Sequence, residues 1–149
     1  MIEIRHGEAA DVDWMLGQLR KFAQFFGSKR SLFGDEAHAR ATLGGMIQDH
    51  LVLVAAADGS ERLGFIAGLI TPHMYNPEIR VLCETFWWVA EEHRRSRAGL
   101  LLLNAFLAWG KAHADWITFS LEQNSPMRAE SLEKRGLHLH ERSFLMEVG

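Results

Sequence analysis

The stretch from Arg80 to Glu122 constrains this chain more than any other part of it. "RVLCETFWWVA" (Arg80–Ala90) is dominated towards its end by β-branched and aromatic residues, the composition of a strand. Arg97–His113 follows with helical spacing, and its only polar interior positions are Asn104 and Lys111. A helix that apolar is expected to be buried on most sides. "WITFSLE" (Trp116–Glu122) then reads as a further strand. Strand, buried helix and strand together predict a parallel, right-handed crossover.

The remainder fits around that unit. "IEIRHG" (Ile2–Gly7) alternates like a short strand. From Ala9 the apolar residues Val12, Met15, Leu16, Leu19, Phe22 and Ala23 recur at three- and four-residue steps, predicting a helix to about Phe26. Asp35 is placed to cap a second helix, Glu36 to about Gln48. "LVLVAAAD" (Leu51–Asp58) and "RLGFIAGLI" (Arg62–Ile70) flank a turn and predict a hairpin. Ser125 as cap, Pro126 at the first helical position and Gly136 as terminator delimit a fourth helix. "SFLMEV" is expected to close the chain as a strand, with "LHLHE" extended before it. The order predicts one mixed α/β domain, residues 1–149, around a single central sheet.

A chain of 149 residues suits one substantial core. Its net charge of −3 argues against a general nucleic-acid binder, which needs a broad positive field. No apolar run reaches the roughly 20 residues of a membrane span, and the N-terminus lacks a signal-peptide shape, so a cytoplasmic protein is expected. The lone Cys83 lies in an apolar run and is expected to be a small buried hydrophobe. His138 and His140 share a strand face without an evident third ligand, and no metal is expected.

The chemistry concentrates in "EEHRRSRAGL" (Glu91–Leu100), between the strand and the apolar helix. A helix N-terminus presents unpaired N–H groups and about half a positive charge. Ser96, Ala98 and Gly99 are small enough for a ligand to approach the backbone, and Arg94, Arg95 and Arg97 add full charges. That combination suits a pyrophosphate. It is neither a P-loop nor a Rossmann fingerprint. The competing reading is a solvated turn whose arginines pair with Glu91 and Glu92.

"WWVAEEHRRSRAGLLLLNAFLAWGKAHA" resembles motif A of the GNAT acetyltransferases, in which R/Q-x-x-G-x-G/A opens a helix and binds the pyrophosphate of acetyl-CoA. "LEQNSPMRAESLEKRGL" is similar to the family's C-terminal half, and the order of elements agrees along nearly the whole chain. The resemblance implies a GNAT fold: a mostly antiparallel sheet, a parallel crossover between strands four and five, and about four helices. Three departures stand out. Arg97 replaces the central loop glycine, where a left-handed backbone would cost roughly 1 kcal/mol. Leu132 stands where many members carry a tyrosine as general acid, and Leu137 replaces the closing Phe.

By the same resemblance, acetyl-CoA should lie in a split between strands four and five. It should contact backbone at Trp88, Val89 and Ala90, the loop Arg94, Arg95, Ser96, Arg97, Ala98, Gly99 and Leu100, and Asn124. Acetyl would pass directly to a primary amine of a small molecule or peptide. Glu84 is the candidate base, because a carboxylate among Val, Leu, Cys and Phe suggests a cleft-facing group of raised pKa; a salt bridge to Arg80 or Arg62 is the competing role. His73 and Glu122 are in reserve, and the Val89 N–H is the candidate oxyanion contact. Trp87 and Trp88 should point to opposite faces; core packing accounts for both, and Trp87 is the candidate that would line the acceptor pocket. Phe25, Phe26 and Phe33 are candidate walls of the acceptor pocket, and buried helix packing accounts for them equally well. The rival is a non-catalytic module of the same fold that binds CoA or a partner protein. Homodimers form in the family, and the apolar C-terminal strands offer an edge for one.

Overall fold

The computed structural model describes residues 1–149 as two compact units, Met1–Phe119 and Ser120–Gly149. In the first, five strands form one sheet in the order β1 (Ile2–His6), β2 (Leu51–Ala57), β3 (Glu61–Pro72), β4 (Arg80–Val89) and β5 (Trp116–Thr118). Neighbours are antiparallel except β4 and β5, which run parallel. The β2–β3 turn places both Asp58 and Gly59 at positive φ (48° and 85°), the twist that tight hairpins favour.

Three helices clothe the sheet. After one 3-10 turn at Ala9–Asp11, α1 runs Val12–Phe26; α2 spans Glu36–Asp49 and α3 Ala98–His113. The Asp35 side chain accepts from the His38 N–H and caps α2 as its position predicts. Met15, Leu16 and Leu19 of α1 and Leu43 and Met46 of α2 pack with Val52, Val54, Phe65 and Ala67 on one sheet face. On the other face α3 buries Leu102, Leu103, Phe106, Leu107 and Gly110. It is covered on one side only, since Leu100, Asn104 and Ala108 are exposed. A lone helix meets a sheet along a single face, so its second apolar stripe has nothing to pack on.

Gly110 lets α3 approach β5. A Cβ there would stand 2.6 Å from the Ile117 Cδ1 and 3.0 Å from the Leu82 Cδ2. At the other end of the sheet, Asp11 is 1% exposed and accepts from Arg5 (2.8 and 2.9 Å) and from Arg62 Nε (2.7 Å). The Glu8 N–H adds a fourth bond to it at 2.7 Å. Burial alone would push this carboxyl up, but the bonds from Arg5, Arg62 and the Glu8 amide outweigh it and hold Asp11 well below the usual carboxylate range. One carboxylate thereby ties β1, β3 and the entry to α1 together.

The second unit holds one short helix, α4 (Ala129–Glu133). Helix formation begins at Ala129, not at Pro126, because the Ser125 hydroxyl instead accepts from the Met127 N–H and closes a separate turn. The expected closing strands are absent: residues 137–149 form no ladder, and apolar alternation alone makes no strand without a partner for its N–H and C=O groups. The expected strand at Trp116–Glu122 stops at Thr118 for the same reason.

Candidate active site at the β4–α3 junction

β4 carries the site, and its irregularities set the geometry. Its pairing with β5 covers only Val81–Cys83 against Trp116–Thr118. From Glu84 to Val89 the edge of β4 on that side has no strand partner. On the β3 side the register jumps from Ala67↔Phe86 to Gly68↔Glu84, leaving Thr85 as the extra residue of a bulge. The Thr85 hydroxyl donates to the Ala67 carbonyl (3.1 Å) and holds the kink. The bulge re-aims the side chains beyond it. Phe86 and Trp88 pack against the α1/α2 cluster, whereas Trp87 meets Phe119 edge to face at 5.5 Å. The two tryptophans therefore take opposite faces, as expected. The Trp87 indole nitrogen is buried with no hydrogen-bond partner.

Beyond Ala90, whose N–H donates to the Leu63 carbonyl (2.8 Å), a 3-10 turn at Glu91–His93 leads to the basic loop. Ser96 organises it, donating to the His93 carbonyl (2.6 Å) and accepting from the Ala98 N–H (3.2 Å). Arg97 has φ −82° and ψ 2°, so the side chain in place of a glycine imposes no left-handed strain. The first bond of α3 runs from the Leu101 N–H to the Arg97 carbonyl, leaving the amides of Gly99 and Leu100 without an intrahelical acceptor. Arg95 and Arg97 are exposed, and neither they nor Arg94 pairs with Glu91 or Glu92. The acid of that neighbourhood that does form a pair is Glu61, whose carboxylate meets His93 Nε2 at 3.0 Å.

Arg94 turns back towards β4. Its Nε donates to the Val89 carbonyl (3.2 Å), and its guanidinium carbon lies 4.4 Å from the Trp88 ring centroid and 5.7 Å from that of Phe25. Trp88 is held from behind by Gln18, whose Oε1 accepts its indole N–H at 2.9 Å. Gln18 is itself buried on α1. Sequence reasoning missed it, although a signal exists: Gln18 is a polar residue three positions after Met15, on the helix's apolar face. Phe25 touches Trp88, whereas Phe26 contacts Phe22 at the exposed end of α1. Phe33 lines a shallow cleft of about 470 Å³ between α1 and the following loop, with Arg20, Lys29 and Arg30.

Glu84 is half-buried at the bulge opposite Gly68. Arg62, one suggested partner for it, is committed to Asp11. Cys83 is exposed rather than buried, because it faces away from Leu82 near the end of the sheet. His73 packs edge-on to Trp116 at 5.0 Å, and its Nδ1 accepts from the Tyr75 N–H (3.2 Å). In the second unit, Asn124 and Glu122 are exposed in the turn before α4, and Leu132 is 8% exposed on α4. No group of three or more His, Cys, Asp or Glu is arranged to hold a metal. No helix is long and apolar enough to cross a membrane.

A family model for the acetyltransferase (GNAT) family matches residues 18–135. Among solved structures, the chain is similar to an acetyl transferase of Pyrococcus furiosus at 22% identity and TM-score 0.74, covering 100% of this chain and 99% of the other. A ribosomal-protein-alanine N-acetyltransferase of Brucella melitensis matches at 17% identity and TM-score 0.70, with both chains fully covered. An acetyltransferase of Clostridium acetobutylicum solved with acetyl-CoA matches at 11% identity and TM-score 0.72, over 99% of this chain and 96% of that one. At these identities the likeness is one of fold. No curated protein sequence matches the chain.

Proposed function

The chain belongs to the GNAT acetyltransferase family, and from that premise we propose that it transfers acetyl from acetyl-CoA to a primary amine by direct attack on the thioester. The observation that carries the reading is the opening beside β4. Strand pairing ends at Cys83↔Thr118, and the unpaired edge runs to the α3 N-terminus, where Arg95 and Arg97 have no acidic partner. The residues present fit the co-substrate: open strand edge for the pantetheine amides, helix amides and arginines for the pyrophosphate, and the orphan Trp87 indole N–H as a further donor.

Acetyl-CoA supplies the activated acyl group. The chain's own residues do the rest. Glu84 takes the proton from the acceptor ammonium. The amine nitrogen then bonds to the acyl carbon, the carbon–sulfur bond breaks, and the proton that nitrogen sheds as the amide forms neutralises the departing thiolate. The Val89 N–H faces the carbonyl oxygen as negative charge develops there. Leu132, where many members of the family carry a tyrosine, has no proton to give. That leaves the rival reading of a module that binds acetyl-CoA without turnover.

Calorimetric titration with acetyl-CoA tests the reading. Micromolar binding is expected, weakened at least tenfold, about 1.4 kcal/mol, in Arg95→Ala/Arg97→Ala. Thiol release with a panel of amines should follow and should collapse in Glu84→Gln. Absence of wild-type binding overturns the proposal, and binding without thiol release selects the rival.

A further inference from the structure

The guanidinium of Arg94 sits where a ligand would. The Trp88 and Phe25 rings meet at 76° with centroids 6.0 Å apart, forming two walls of a corner. Phe22 braces the Trp88 ring at 78° and 5.9 Å. The cation lies over Trp88 and within 6 Å of Phe25, the range in which an aromatic face attracts a positive charge. The corner is built before any ligand arrives, because the bond from the Trp88 indole to buried Gln18 fixes the ring. It is also accessible: Phe25 is 56% exposed. Arg94 itself comes from the phosphate loop, so the residue filling the corner has a competing destination a few residues along the chain.

We propose that the Trp88–Phe25 corner is a subsite for a cationic group of the acceptor, and that Arg94 occupies it as an internal stand-in until an anionic co-substrate draws the guanidinium away. The cation site stands on the geometry alone; its assignment to the acceptor and the displacement of Arg94 rest on the acetyl-CoA reading above. The corner's chemistry narrows the acceptor. An ammonium held against aromatic faces keeps its proton and is no nucleophile, so the caged group is not the amine that reacts. The acceptor therefore carries two basic centres, one caged and one acetylated, as in a short diamine or an aminoalkyl guanidine. Occupation by Arg94 also couples the two substrates. A site competent only when its own arginine has left binds its ligand with an affinity reduced by the competent fraction, and the co-substrate removes that reduction.

The test uses butylguanidinium, which has the cation but no amine to acetylate. Its binding is followed by NMR at the Trp88 indole N–H, assigned with Trp88→Phe. Weak binding is expected for the wild type alone, and binding at least fivefold tighter in saturating CoA. Arg94→Ala and Arg94→Gln without CoA should match the tighter value, and adding Phe25→Leu to either should abolish the gain. If both Arg94 variants bind no tighter than the wild type, or if Phe25→Leu changes nothing, the cation subsite is wrong. If CoA binds the wild type yet leaves butylguanidinium affinity unchanged, the displacement is wrong. If CoA does not bind at all, the acetyl-CoA reading and the displacement fall together, while the CoA-free Arg94 arm still decides the subsite.

Discussion

The two units of this chain use their apolar residues in opposite ways. In Met1–Phe119 the large aliphatic side chains of the sheet and of the inner helix faces are buried or half-buried. In Ser120–Gly149 the only apolar residue classed as buried is Leu132, while Leu139, Phe144, Leu145, Met146 and Val148 are exposed. The second unit is poorer in apolar residues, and those it has find fewer partners. A residue beside a hairpin turn or on a helix face finds its partner nearby. A terminal strand must find a distant edge, and here none pairs with it. Cohesion in the first unit therefore comes from specific contacts, and substitutions there should cost far more than substitutions of equally apolar residues in the second.

The largest effect should come from Asp11. Asp11→Ala leaves Arg5 and Arg62 partly buried and without their acceptor, and should cost about 3 kcal/mol in urea unfolding. The carboxyl's folded pKa is depressed below its ordinary 3.8. Its contribution is therefore complete above about pH 4 and drains away as the pH falls towards the folded value. Wild type should lose stability over that acid range, and Asp11→Ala should show a flatter limb. Equal acid slopes would mean that the clamp does not tie the sheet to α1.

Gly110→Val should rank next, at about 2 kcal/mol, since its side chain would collide with Ile117 and Leu82 where α3 meets β5. The same displacement would disturb the opening beside β4. Acetyl-CoA affinity should fall with stability, and a destabilised variant with wild-type affinity would separate the packing of α3 from the site.

Legibility in the sequence divides along the same line. β1 to β4, α1, α2 and the α2 cap were legible because periodicity and turn residues act over short distances. The arginine cluster before α3 was legible as concentrated charge. The destination of Arg94 was not, since it depends on Trp88 and Phe25 being neighbours, and only the folded sheet and α1 bring them together. Asp11 was hidden for the same reason: an acid in the first turn of a helix looks solvated until Arg62 arrives from β3. The bulge at Thr85 has no sequence mark, yet it sets which of Trp87 and Trp88 faces α1 and α2.

The smallest expected effect sharpens the comparison most. Phe144 is 92% exposed, so Phe144→Ser removes an aromatic ring that buries almost nothing. Its unfolding free energy should match wild type within about 0.5 kcal/mol. A core phenylalanine such as Phe106, truncated to alanine, should instead cost roughly 3 kcal/mol or more. The measurement should be made at two protein concentrations a hundredfold apart. If Phe144→Ser is neutral at both, the C-terminal apolar residues contribute nothing to the fold. If it destabilises by more than about 1 kcal/mol only at the higher concentration, the shift expected when association stabilises the native state, the segment is buried between copies of the chain. A cost independent of concentration would place Phe144 in a core of its own and remove the contrast between the two units.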